Sequence, residues 1–200
     1  MKMSIVLFCC LSAMPCVVAA GSSPATVDDK TSTAFASTAT SMPPPEMSAL
    51  YPRIGKWNVT IRTEPGRSSP KGGIDRGVMT ITKGPGGFSI VQDFWSRGTS
   101  GNVVGQSYAW WDPHAKSYKS VWCDNMQGCT EFTTVVEKNT WTVELDSEAD
   151  GENVHTVIHA AMSADHNTIH EEVTNSYNHG TAETATVSDY KRVVTGANEN

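Results

Sequence analysis

Positive charge is scarce in this sequence and is nowhere clustered. The chain has 15 Lys and Arg residues against 21 Asp and Glu residues, a formal net charge of -6 at pH 7. Proteins that bind nucleic acid or anionic membranes neutralise phosphates with grouped Lys and Arg side chains. The composition therefore argues against both kinds of partner.

Long hydrophobic runs are also missing, apart from one at the start. Lys2 is followed by an apolar run over residues 4–18, which ends in Val18, Ala19 and Ala20. A charged start, a short apolar core and small residues after it are typical of a secretory signal peptide, and the run is too short for a transmembrane helix. The sequence predicts a signal peptide over 1–20, cleaved after about Ala20, and a secreted or periplasmic protein without membrane insertion.

Cysteine is nearly absent from the predicted mature protein. Cys9, Cys10 and Cys16 lie in the leader, which leaves only Cys123 and Cys129. Export to an oxidising compartment favours a disulfide between these two, whereas a redox or metal site needs a closer spacing or further ligands. The bridge would close a short hairpin loop and stabilise the fold by on the order of 2 kcal/mol.

The motifs of several enzyme classes are absent. The sequence contains no G-x-S-x-G, no P-loop and no dinucleotide-binding glycine fingerprint, and HTVIH at 155–159 lacks the glutamate of the zinc metalloprotease motif. No catalytic residue, cofactor or oligomeric state is assigned from the sequence.

Helical periodicity is hardly present beyond residue 54, where apolar and polar residues alternate between turn formers. The pattern predicts ten strands, over 56–64, 74–82, 88–97, 103–111, 117–124, 130–137, 140–147, 153–162, 168–177 and 182–192. Short links favour pairing of each strand with the preceding one, and an open sheet of this size would leave two long edges exposed. The sequence therefore predicts an all-β fold, a single antiparallel up-and-down barrel of about ten strands.

Residues 21–48 contain almost no large apolar residue and are rich in Ser, Thr, Ala and Pro. Such a segment cannot bury enough surface to offset its ordering entropy. The predicted organisation is a signal peptide over 1–20, a disordered linker over 21–48, a barrel domain over 49–193 and a disordered tail over 194–200, with one short helical turn within 47–52.

Residues 106–129 contain five aromatic residues, a proline turn and both remaining cysteines. Pro113 fixes its own φ for a turn, and the carboxylate of Asp112 is placed to accept hydrogen bonds from the amides of that turn. The stretch therefore predicts two adjacent hairpins in the middle of the barrel.

Three stretches resemble a known family. Gly55-Lys56-Trp57 and Tyr190-Lys191-Arg192 resemble the calycin superfamily of lipocalins and fatty-acid-binding proteins, and residues 108–126 resemble a bacterial lipocalin-like family, the domain of unknown function 1579. The chain departs from that family in having Trp111 where a tyrosine is expected. The resemblance covers about residues 50–192 and implies a calycin-like barrel, with no established reaction to transfer.

In calycin-like barrels the first tryptophan closes one end. An arginine from the last strand that lies over its ring would add a cation–π contact of about 0.5 to 2 kcal/mol. We therefore expect Trp57 and Arg192 to be neighbours with a structural role.

Strand alternation places Tyr118, Trp122 and Asp124 on one face of the fifth strand and Trp57 on one face of the first. If these faces point inward, the four residues are candidates for lining a small-molecule cavity. The alternative is an interior filled by its own side chains. Asp124 is either a buried acid with a raised pKa or a cap for the amides of the following turn.

Two histidines form a candidate metal pair. If Ala164 and Asp165 are a two-residue hairpin loop, His159 lies opposite His170, with β-carbons about 5 Å apart. A three-residue loop would break the pairing, and no third ligand is evident, so no metal is assigned.

Two functions remain open from the sequence. The leading hypothesis is an exported barrel that binds a small, largely apolar molecule or has a structural role, without catalysis. The alternative is a hydrolase- or isomerase-like enzyme that uses the cavity, with Asp124 or a histidine as acid and base.

Overall fold

The computed structural model describes residues 42–67 and 69–194. The predicted signal peptide, residues 21–41 of the predicted linker and the predicted tail from 195 onward lie outside the described residues. No helix in the described part of the chain is long and apolar enough to span a membrane.

The chain forms ten antiparallel strands, as the alternation predicts. They are β1 (Gly55–Thr63), β2 (Gly73–Lys83), β3 (Ser89–Gly98), β4 (Gly101–Asp112), β5 (Ser117–Asp124), β6 (Gly128–Glu137), β7 (Thr140–Ala149), β8 (Glu152–Met162), β9 (Thr168–Tyr177) and β10 (Glu183–Arg192). Their bounds differ from the predicted ones by at most two residues at either end.

Each strand pairs with its neighbours in sequence, and β1 also pairs with β10, which closes the barrel. Trp57 lies opposite Met79 of β2 on one side and Arg192 of β10 on the other. Closure removes the two edges that an open sheet would expose. The predicted all-β up-and-down barrel is confirmed.

Alternation along the strands sorts side chains between the interior and the surface. In β3, for example, Ile90, Gln92, Phe94 and Ser96 are buried while the residues between them are more exposed. Two of these four inward side chains are polar, so the barrel interior is not purely apolar. One of these two polar side chains, Gln92, contributes to the site described below.

The turn after β4 has the predicted chemistry. Oδ1 of Asp112 accepts hydrogen bonds from the amides of His114 at 2.9 Å and Ala115 at 3.2 Å. These two bonds lower the pKa of the Asp112 carboxyl below its ordinary value. Lys116 completes the turn with a positive φ of 50°.

One end of the barrel, here called the capped end, is covered by residues 45–54. They form two short 3-10 helices, Pro45–Ala49 and Tyr51–Arg53. The side chains of Met47 and Leu50 are fully buried in the main core.

The predicted linker therefore needs a correction at its end. Met47 is 0% exposed, and the carbonyl of Glu46 accepts a hydrogen bond from the hydroxyl of Tyr118 at 2.8 Å. These residues pack on the barrel because Met47 supplies a large apolar side chain, a residue type that is rare in the Ser- and Pro-rich segment. The predicted helical turn over 47–52 is present, but ordered packing begins before Ser48.

Candidate functional site

The interior of the barrel contains a cavity of about 420 Å³. This volume lies within the range of small-molecule sites. Most of its wall is apolar, and the charged side chains that line it, Arg53 and Glu171, lie toward the capped end, here called the polar end of the cavity. The interior is therefore not completely filled by its own side chains, which was the alternative left open by the sequence.

Trp122 is the one predicted cavity residue that lines this space. Its ring centroid lies 5.8 Å from that of Phe94, and its indole Nε1 donates to Oδ2 of Asp124 at 2.6 Å. A β-carbon at Gly105 would clash with Cζ2 and Cη2 of the Trp122 ring. Trp122 thus needs a glycine on the adjacent strand to lie flat against the wall.

Asp124 caps the turn after β5. Its Oδ1 accepts hydrogen bonds from the amides of Met126 at 2.7 Å and Gln127 at 2.8 Å, while Oδ2 holds the Trp122 indole. Asp124 does not line the cavity. Of the two roles that the sequence left open, the geometry is that of the turn cap.

Tyr118 and Trp57 also lie outside the cavity lining. The Tyr118 ring packs edge-on against Trp111, with centroids 4.9 Å apart, and its hydroxyl is engaged with the Glu46 carbonyl. Burial raises the pKa of the Tyr118 hydroxyl. Trp57 is completely buried beneath the capped end. Both residues face inward as alternation predicts, but the capping segment covers them.

Cys123 and Cys129 form the expected disulfide. They are directly opposite each other on β5 and β6, with Cα atoms 4.0 Å apart. The bridge closes the turn that Asp124 caps. It therefore fixes the strand pair that carries Trp122.

The predicted pairing of His159 with His170 is wrong. His159 lies opposite Glu172 and His170 lies opposite Ala161, because the connection contains four residues, 164–167, rather than two. Nδ1 of His170 lies 2.8 Å from Oδ1 of Asp189 instead. Nowhere in the described chain do three His, Cys, Asp or Glu side chains gather as a metal site would require.

None of the six histidines, all of them described, lines the cavity. Since Asp124 does not line it either, the acid and base residues of the predicted enzyme alternative do not border the cavity. The ionisable side chains that do border it were not predicted: Arg53, Glu171 and Tyr190.

Arg53 enters the cavity from the capping segment. Its Nη2 donates to Oε1 of Gln92 at 3.3 Å, and its guanidinium carbon lies 5.0 Å from the centroid of the Trp141 ring. Desolvation by burial lowers the pKa of Arg53, and the charge of Glu171 partly offsets this effect. The guanidinium is thus a desolvated cation at the polar end of the cavity.

The backbone around Arg53 is held by Arg192 of β10 and Trp57 of β1, here called the closure pair because these two strands close the barrel. Arg192 donates from Nη2 to the Pro52 carbonyl at 2.7 Å and from Nη1 to the Ile54 carbonyl at 2.6 Å. Trp57 donates from Nε1 to the Arg53 carbonyl at 2.9 Å. The guanidinium carbon of Arg192 lies 4.1 Å from the centroid of the Trp57 ring, so the expected contact is present. Three consecutive carbonyls are therefore fixed, which positions the Arg53 side chain.

Glu171 lies on the inner face of β9, between Ile169 and Val173. Its Oε1 accepts a hydrogen bond from the hydroxyl of Tyr190 at 3.0 Å, and Ser188 also hydrogen-bonds its side chain. Burial raises the pKa of the Glu171 carboxyl, although the bond from Tyr190 and the charge of Arg53 oppose the shift. Burial, followed by the nearby Glu171 carboxylate, raises the pKa of Tyr190 well above its ordinary value.

Two inward polar residues that were missed, Glu171 and Gln92, carried a sequence signal. Glu171 stands between Ile169 and Val173 at inward positions of β9, and Gln92 stands between Ile90 and Phe94 at inward positions of β3. Buried polar groups at such positions need partners or a function. Arg53 precedes the first strand, and no periodicity marks it.

Comparison with known proteins supports the fold. No family model matches the chain, and no curated protein sequence matches it. The crystal structure of Rv2717c from M. tuberculosis is similar, with a TM-score of 0.52 and 10% sequence identity over 76% of this chain and 99% of that one. The fold is that of a calycin-like barrel. At this identity the likeness concerns the fold alone.

A second similar structure is the S-type phycobiliprotein lyase CPES from Guillardia theta. It has a TM-score of 0.46 and 12% identity over 74% of this chain and 93% of that chain. The resemblance of residues 108–126 to the domain of unknown function 1579 stays a prediction, since no family model matches.

Proposed function

We propose that this protein binds a small, largely apolar molecule inside the barrel, with the polar end of that molecule toward Arg53. The observation that carries the proposal is the cavity of about 420 Å³ with a mostly apolar wall and with its charged lining side chains, Arg53 and Glu171, toward one end. Apolar walls supply affinity through surface burial, and a few placed polar groups fix orientation.

The proposal extends to export and to family. The charged start, apolar run and small residues of 1–20 support secretion or transfer to the periplasm. The family proposed is the lipocalin-like domain of unknown function 1579, supported by the Gly55-Lys56-Trp57 and 108–126 motifs and by the calycin-like fold. The mass of the protein secreted by its own host tests the first point, because cleavage after Ala20 fixes the expected value.

A paired substitution tests binding in the cavity. Ala160 lines the cavity, whereas the adjacent Ala161 faces the outside of the barrel opposite His170. Ala160→Phe should fill part of the cavity and weaken binding of the neutral fluorophore N-phenylnaphthylamine by about tenfold or more, or about 1.4 kcal/mol. Ala161→Phe adds the same ring to the outer surface and should leave the affinity within about twofold.

Fluorescence titration gives the affinity, and native mass spectrometry of protein from its own host asks whether a ligand co-purifies. Equal weakening by both variants would place the fluorophore outside the barrel and contradict the proposal. So would the absence of saturable binding to the unsubstituted protein.

A further inference from the structure

The cavity holds one cation and one carboxyl group that do not form a direct ion pair. Among the described residues, Arg53 and Glu171 are the only Lys, Arg, Asp or Glu side chains that line it. The nearest partner of the Arg53 guanidinium is Gln92, and the partners of Glu171 are Tyr190 and Ser188. A cation that is desolvated without a bound anion is costly to maintain.

Two buried donors at the polar end also lack a hydrogen-bond partner. Within the described chain, Nε of Arg53 and Nε1 of Trp141 are buried and have no hydrogen-bond partner. Gln92 accepts from Nη2 of Arg53 rather than from its Nε, and Glu171 accepts from Tyr190 and Ser188. Each buried donor left without an acceptor costs about 1–3 kcal/mol. A ligand that supplies acceptor atoms would recover this free energy.

We propose that the ligand carries a single carboxylate, which binds at Arg53 and Trp141, and that one proton from solvent binds Glu171 at the same time. This inference rests on the proposed function and specifies its substrate class as an apolar monocarboxylate. The planar guanidinium accommodates a carboxylate with two parallel hydrogen bonds.

The charges that line the cavity favour a monocarboxylate ligand over ligands that carry other polar groups. A primary ammonium group has no acceptor to offer the two unpaired donors. A phosphate dianion would exceed the single positive charge of Arg53 and would repel Glu171. A monocarboxylate matches one guanidinium and leaves Glu171 to be neutralised by protonation.

The surroundings of Glu171 explain why a proton should accompany the ligand. Facing its carboxyl are Arg53 from the capping segment, Tyr190 and Ser188 from β10, and the small side chain of Ala160 from β8. His170 precedes it on β9 but points outward to Asp189. Burial already favours the neutral form, and an incoming anion adds a like charge that favours it further.

The affinity for the carboxylate ligand should fall as the pH rises above the pKa of Glu171. Below the pKa of Glu171 in the free protein the carboxyl is already protonated, so the affinity for an ionised carboxylate is constant there. Above that pKa a proton must be taken up with each ligand, and the affinity falls by up to about tenfold per pH unit. The fall ends above the pKa that Glu171 has in the complex.

The experiment compares two probes of similar shape and different charge, decanoate and decanol, by isothermal titration calorimetry. Runs in buffers with different ionisation heats count the protons taken up. We expect decanoate to bind about tenfold or more tightly than decanol, with one proton taken up per decanoate and none per decanol at a pH above the Glu171 pKa.

Two substitutions, each with a matched control, test whether Arg53 causes the preference for decanoate and whether Glu171 takes up the proton. Arg53→Met should remove the preference for decanoate and retain decanol binding, while the exposed Arg62→Met should change neither. Glu171→Gln should retain decanoate binding but abolish the proton uptake and its pH dependence. Glu172→Gln, on the opposite face of the same strand, should leave both unchanged.

The outcomes separate this inference from the proposed function. Decanol binding without any preference for decanoate overturns the carboxylate site and leaves the apolar cavity standing. Failure of both probes and of N-phenylnaphthylamine overturns the proposed function itself. A preference for decanoate without proton uptake overturns the role of Glu171. If Arg53→Met does not fold, the double variant Arg53→Met with Glu171→Gln, which leaves no unpaired charge, takes its place.

Discussion

At the scale of single residues, the closure pair does more than stack. The sequence predicts a cation–π contact between Trp57 and Arg192, and the structure adds three hydrogen bonds from Arg192 to carbonyls of Pro52, Ile54 and His166. The carbonyl of Arg53 is held by Trp57. Arg192 and Trp57 are therefore positioning residues for Arg53, although neither lines the cavity.

Arg192→Ala should lower the free energy of unfolding by about 3 kcal/mol. The substitution removes the cation–π contact with Trp57 and leaves three carbonyl oxygens without their hydrogen-bond donor. Arg192→Lys should recover only part, because an ammonium lacks the planar fork that serves several acceptors at once. Urea denaturation measures both, with the exposed Lys191→Ala as the control. A change within about 0.5 kcal/mol for Arg192→Ala would contradict the closure role.

Glu171 gives a second prediction at this scale, through the pH dependence of stability. Burial raises its pKa in the folded protein above the ordinary glutamate value of about 4.3. Its contribution to stability is fully present below the unfolded pKa and is lost as the pH rises through the folded pKa. Relative to Glu171→Gln, which cannot ionise, the natural protein should lose up to about 1.4 kcal/mol per pH unit across that window.

The measurement is the free energy of unfolding of both proteins over a series of pH values, with Glu172→Gln as the surface control. Parallel curves for the natural protein and Glu171→Gln would show that the folded and unfolded pKa values of Glu171 are the same. That result would contradict the enclosed environment assigned to this carboxyl.

At the scale of elements, the capping segment decides what the cavity contains. Its first 3-10 helix buries Met47, and its second ends at Arg53, whose side chain enters the barrel. The Tyr51 hydroxyl donates to the Gly87 carbonyl at 2.9 Å, where a positive φ of 82° favours glycine. The segment thus joins the loop between β2 and β3 to the site.

Met47→Ala should lower the free energy of unfolding by about 2–5 kcal/mol, the usual cost of truncating a fully buried methionine. Met42→Ala is the matched control, because Met42 is 85% exposed and should change stability by no more than about 0.5 kcal/mol. Thermal or urea denaturation separates the two. Equal, near-neutral effects would mean that residues 45–49 do not pack on the barrel in solution.

At the scale of the whole molecule, closure of the meander is what creates an interior. Because β1 pairs with β10, residues that are 118 positions apart, such as Arg53 and Glu171 (171 − 53), border one cavity. The same closure places Arg192 beside Trp57, whose indole holds the Arg53 carbonyl. The last strand therefore helps to position Arg53. Loss of closure would remove the cavity and its polar end together.

The sequence by itself determined the class of fold and nearly every strand. Alternation and turn residues are local signals, and in this chain each hairpin is short enough for local signals to decide its pairing. Turn chemistry correctly anticipated the Asp112 turn, the two cysteines left outside the leader anticipated the disulfide, and the resemblance to calycin-like barrels anticipated the neighbouring positions of Trp57 and Arg192.

Only the tertiary structure decided which inward residues border empty space. Trp57 and Tyr118 face inward as alternation requires, yet the capping segment covers them, while Glu171 and Gln92 face the cavity. The His159 pairing failed because a hairpin register depends on loop length, and a four-residue loop shifted every partner by two. The periodicity of the sequence could not identify Arg53, because its backbone is positioned through the carbonyl of the next residue, Ile54, which is held by Arg192, 138 positions further along the chain.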